Sequence, residues 1–239
     1  MKVIQANCRI QFTAEDIDFI ARILGRSVGQ SDCVTRLLAD PESRDLILDD
    51  ETLFHALLEH RGCLRVSSHF YFYVLVRHVL CKAGIEDRTV ADYVAELLAE
   101  FTRTERTRCV VPGQPGPLDY LFEMLAALRT SDARTTFEIR AHIGNHTLFL
   151  TGVFPDRIRE RSERKGFPSL SYFEGLGRAG FRAASTHALA RRYELGSVFD
   201  TLAERFGTAR LALNDLSDRL VAWEDNTYAL ETLLARKES

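Results

Sequence analysis

The chain has 239 residues, with 31 Lys or Arg against 34 Asp or Glu and a net charge of −3. That balance excludes the global basic surface that draws a protein onto nucleic acid or anionic lipid, though not a local patch. A hydrophobic fraction of 46% with 27% charged residues excludes disorder and fibrous repeats, and the length suffices for one large domain or two small ones.

Five cysteines, Cys8, Cys33, Cys63, Cys81 and Cys109, stand far apart and form no Cys-x-x-Cys pair, so neither a zinc knuckle nor a thioredoxin-like site is indicated. They read as reduced, mostly buried thiols of a cytoplasmic protein. The opening stretch lacks a long apolar run and carries acids early, which argues against a signal peptide. The strongest apolar run, residues 70–76, is far shorter than the roughly 20 residues of a bilayer span, so no membrane partner is expected.

In chain order, residues 1–12 alternate in part and predict a short strand or an extended arm. Thr13 can cap a first helix, with Asp16 in the capping-box position, Ile17, Ile20, Ala21 and Leu24 on its apolar face and Gly25 as its stop. Ser31 or Asp32 caps a short helix, Pro41 starts another, and Asp49 or Asp50 caps a third with Leu53, Phe54, Leu57 and Leu58 inward. Ser67 or Ser68 opens HFYFYVLVRHVLCKAG, which is apolar nearly all round and long enough for a buried helix ending at Gly84. Thr89 caps the next helix, with Val90, Tyr93, Val94, Leu97, Leu98 and Phe101 inward and Asp92, Glu96 and Glu100 outward.

Residues 102–117 break the pattern with charges, then three prolines and two glycines, and predict a loop between an N-terminal half, 1–101, and a C-terminal half, 118–239. Within it, 108–111 could pair as a strand with the N-terminal arm. An amphipathic helix over 118–129 follows, and Ser131 or Asp132 caps the stretch 132–155. Pro155 starts a charged helix to Lys165. Ser169 or Ser171 caps a long helix to Arg192, whose small residues at 177, 180, 183 and 184 suit a close helix–helix contact or room for a ligand. Residues 197–206 and 208–223 predict a final antiparallel pair, and 230–239 a frayed end.

Polar residues able to do chemistry concentrate in 132–155. Glu138, His142 and His146 are spaced four and four, so on a helix they form one stripe that could hold a divalent metal, with His69 and His187 as conceivable donors from other helices. Gly144 and Asn145 between the histidines could break that helix. A second stripe, His69, Tyr73 and Arg77, together with Tyr172 and Phe173, could line a small-molecule pocket between helices. The charged helix after Pro155 and the cluster Arg103, Arg106 and Arg108 offer docking surfaces for a protein partner. His78 and Cys81 lie one turn apart, but in the most apolar segment, so they are not read as a catalytic dyad.

Two resemblances add expectations. Arg140 and His146, with five residues between them, resemble the arginine–histidine signature of the HEPN family of small helical ribonucleases. That resemblance implies metal-independent RNA cleavage, with Arg140 stabilising the transition state and His146 as acid or base. The pattern LFLTGVFPDRI followed by SLSYFEGLGRAGFRAAS resembles a group of bacterial helical proteins without an assigned activity. It implies a helical fold and a pairing of those two stretches, and no catalytic residues.

These readings converge on an all-α bundle of about ten helices, with at most a minor strand pair. The leading functional expectation is a non-enzymatic bacterial regulatory or interaction protein that binds a small molecule or a protein partner, with no cofactor, and with a homodimer left open. A metal enzyme or sensor built on Glu138, His142 and His146 is the alternative, followed by the nuclease.

Overall fold

Short acceptor side chains stand just before most of the longer helices and fix where each begins. A computed structural model describes residues 3–28, 31–60, 64–102, 121–165 and 168–222, and among these residues thirteen α-helices and one 3-10 helix, Cys8–Gln11, account for the regular structure. The first three are α1 (Ala14–Val28), α2 (Ser31–Leu37) and α3 (Pro41–Leu48). Asp40 caps α3 through the Ser43 amide at 2.8 Å, with Pro41 in the first turn, where its missing N–H costs nothing. Asp50 caps α4 (Glu51–Leu58), and Ser67 caps α5 (Ser68–Lys82). Asp87 rather than Thr89 caps α6 (Arg88–Phe101), because its carboxylate accepts from the Thr89 amide at 2.7 Å. At the start of α1, Asp16 reaches back to the Thr13 amide at 2.8 Å, the reciprocal half of a capping box.

No strand occurs among the described residues, and the N-terminal arm holds the 3-10 turn instead of the expected strand. The helix α1 runs past Gly25 to Val28. The loop beyond Thr102, its extended piece 108–111, its arginine cluster and the C-terminal end all lie outside the described residues.

The second half consists of α7 (Leu121–Ala127), α8 (Ala133–Val153), α9 (Pro155–Lys165), α10 (Leu170–Ser185), α11 (Ala188–Arg192), α12 (Gly196–Glu204) and α13 (Phe206–Ala222). The long helix expected to reach Arg192 is therefore two. Thr186 ends α10, and the His187 imidazole caps α11 by accepting from the Leu189 amide at 3.1 Å. Glu194, at φ 57°, then turns the chain into α12.

The helix α8 is the axis of this half. One side packs on α10 and α13, and α6 approaches another. A single apolar cluster runs from Cys8 through Phe70, Tyr93, Leu148 and Phe199 to Leu216, with a smaller one around Met124, Ile139 and Ile143. It draws on residues from both sides of the loop. Burying such side chains contributes about 1.5–3 kcal/mol each. No described helix is long and apolar enough to cross a membrane.

Candidate functional site

The first stripe stays on one face because α8 is unbroken. Gly144 does not interrupt the helix; it makes room, since a Cβ there would lie 2.7 Å from the Phe181 ring of α10. Glu138 and His142 are buried, and His142 and His146 have near-parallel rings 5.9 Å apart. Glu138 accepts from Arg134 at 3.1 Å, and His142 packs against Phe101 of α6. Among the described residues, no group of three or more His, Cys, Asp or Glu side chains could hold a metal ion. His69 turns instead to Glu96, at 3.5 Å, and His187 to its capping role. Asn145, next to Gly144, accepts from the Tyr93 hydroxyl at 2.7 Å in the buried core. Burial pushes that phenol's pKa up, so it remains a donor.

Arg140 and His146 are six positions apart on this continuous helix. They therefore point roughly 120° apart and lie about 9 Å apart along the axis. Within one chain they do not face a common point. The expected pocket is likewise divided. Tyr73 is fully buried under the N-terminal arm, Tyr172 stands exposed at the start of α10, and Phe173 is buried. Of the five residues assigned to it, Arg77 lines a cavity beyond the first turns of α5.

Arg77 enters that cavity through a network that the sequence did not announce. Its Nε and Nη2 donate to the two oxygens of Asp49 at 2.9 and 3.1 Å, and Nη1 donates to the Glu86 carbonyl at 2.6 Å. Arg88 grips the same carboxylate from the other side, at 2.9 and 2.6 Å. Burial pushes the Asp49 carboxyl pKa up, but the two guanidinium groups outweigh it and hold it below the usual range. Asp49 follows the C-terminus of α3, so the network joins α3, α5 and α6.

Beside it, Asp49, Glu51, Arg77, His78, Cys81 and Lys82 line an open groove of about 290 Å³. The His78 ring lies flat on Phe54, with centroids 3.7 Å apart. Burial, then the nearby Lys82 charge, lowers its pKa, so the imidazole is neutral at pH 7. Cys81 is exposed at the groove. The apolar surroundings that spoke against a His78–Cys81 pair belong to the other side of α5. A sign of this groove was present in the sequence: Arg77, His78, Cys81 and Lys82 cluster within two turns at the C-terminal end of a largely apolar helix. Asp49 and Glu51, from the α3–α4 corner, had no such signal.

Compared with protein-family models, with curated proteins and with solved structures, the chain matches none.

Proposed function

We propose that this chain acts by binding rather than by catalysis, as a helical regulatory or interaction protein that takes a small molecule in the groove between α5 and the α3–α4 corner. One contrast supports the reading. Several polar side chains of the candidate stripes are tied to charged partners: Arg77 to Asp49, His69 to Glu96 and Glu138 to Arg134. Glu51, Cys81 and Lys82, by contrast, stand exposed around a cavity. Cationic and anionic groups at the rim, beside the His78 ring, suit a small zwitterion better than an apolar ligand. A thermal-shift screen of zwitterionic metabolites tests this. A saturable rise in Tm is expected, abolished by Cys81→Trp, which fills the groove. A rise that survives Cys81→Trp, or no rise with any compound, rejects the reading.

A metal on the α8 stripe is the second reading, favoured by the unbroken helix and the two neighbouring imidazoles of His142 and His146. It requires the side chains to regroup around the ion. Elemental analysis of gently purified protein, beside a His142→Ala, His146→Ala double variant, decides it. Near-stoichiometric metal lost in a folded variant supports the site; no metal after adding back divalent ions removes it.

A further inference from the structure

The N-terminal arm lays an arginine into a seat built by three other elements. The Arg9 guanidinium donates to Asp45 of α3 at 2.9 Å, lies 3.5 Å from Asp92 of α6, and sits over the Tyr73 ring of α5, 5.5 Å from its centroid. The Arg9 backbone N–H also donates to Asp92, at 2.9 Å. Two carboxylates and an aromatic face form a receptor for a guanidinium, which is planar, weakly hydrated and suited to both kinds of partner. The same Arg–carboxylate chemistry would accept an arginine from any extended segment able to follow the arm's path.

The closed arm carries polar defects. The Tyr73 hydroxyl, fully buried beneath Arg9, interacts with the Arg88 side chain. The Asn7 side-chain oxygen is buried without a hydrogen-bond partner. Asp92 is desolvated, which pushes its carboxyl pKa up despite the bonds from Arg9. Water would solvate both Asn7 and Asp92 if the arm lifted, so each of the two penalises closure. What holds the arm down is the Arg9 contacts, Gln11 donating to Glu96 at 2.7 Å, the Cys8 thiol on the His69 carbonyl at 3.2 Å, Phe12 edge-on to Phe70 and Tyr73, and the packing of Val3, Ile4, Ala6 and Cys8 on the core. Ile10 points away from the fold and is 84% exposed.

We propose that residues 3–12 form a displaceable strap, and that the seat of Asp45, Asp92 and Tyr73 beneath it is a receptor for an arginine-bearing peptide segment of a partner protein. In the free chain, Arg9 is the built-in competitor. The groove of the preceding subsection plays no part in this, so either proposal can fail alone.

The test uses the full chain, as wild type and as Arg9→Ala, with a labelled peptide of residues 3–12 and a second peptide carrying alanine in place of its arginine. Binding is read by fluorescence anisotropy, and circular dichroism verifies the fold. The arginine peptide is expected to bind Arg9→Ala at least tenfold more tightly than wild type, and the alanine peptide at least tenfold more weakly. Equal binding to both proteins, indifference to the peptide's arginine, or no binding to a folded Arg9→Ala overturns the proposal. Hydrogen exchange on the wild type gives an independent reading that needs no variant. Strap amides should exchange well before those of α5 and α6, and exchange only with global unfolding also overturns it.

Discussion

Asp49 accepts from two guanidinium groups at once, so its loss deprives both of a carboxylate partner. Removing it leaves Arg77, which is 6% exposed, with a buried charge and only the Glu86 carbonyl. Asp49→Asn is expected to lower unfolding stability by about 2–3 kcal/mol, measured by urea denaturation at pH 7. The folded-state pKa of Asp49 is depressed, so its contribution is present above the unfolded value and lost as pH falls through the carboxylate range. His78 acts in a different window. Its folded pKa lies below the unfolded value near 6.5. Both states are neutral above that value; below it the unfolded chain takes up a proton first, so stability falls as pH drops from about 6.5. The slope of Tm against pH between roughly 7 and 5.5 should flatten in His78→Gln. An unchanged slope would assign the effect to other groups.

At the scale of elements, the contact between α8 and α10 is made by glycine. A Cβ on Gly180 would lie 2.8 Å from the Arg140 carbonyl oxygen and 3.0 Å from the Gly144 nitrogen, both backbone atoms that cannot move aside. A Cβ on Gly177 would run into the Phe206 ring. Gly175, on the same helix, has nothing within 4 Å of such a Cβ. Two alanine substitutions one and a half turns apart should therefore have opposite signs. Gly180→Ala is expected to destabilise by about 1–3 kcal/mol through overpacking, and Gly175→Ala to stabilise by roughly 0.5–1 kcal/mol through helix propensity. Chemical denaturation of the two variants checks both signs.

The C-terminal end of α8 is held in an equally specific way. Asn214 donates to the Thr151 and Gly152 carbonyls at 2.8 and 2.6 Å, and Ser217 donates to the Val153 carbonyl at 3.1 Å. Arg210 bonds Asn214 and, on α10, Glu174, so one polar chain ties α10 and α13 to carbonyls that the helix itself leaves without donors.

At the scale of the molecule, α6 corrects the simplest pattern reading. Asp92, Glu96 and Glu100 repeat every four residues and look like a solvated stripe, yet all three are buried. Their partners come from far away in sequence: Arg9 and Gln11 for the first two, with His69 beside Glu96. Periodicity places residues on a common face of a helix. It does not say what covers that face, and here the N-terminal arm covers Asp92 and Glu96.

The all-α class, most helix starts and the Gly84 stop were legible in the chain because their causes are local. A capping carboxylate lies within three residues of the amide it satisfies, an apolar stripe repeats at the helical period, and Gly84, at φ 81°, adopts a conformation that other residues resist. The candidate site was only partly legible. The polar cluster at the end of α5 could be seen, but Asp49 and Glu51 meet it from another helix corner, and His69, Arg77 and Glu138 of the two stripes first singled out lie against charged side chains that spacing alone does not identify. Which polar residues remain exposed depends on which distant charges reach them. Coulomb and hydrogen-bond partners are set by distance in space, and that is decided only once the apolar faces have packed.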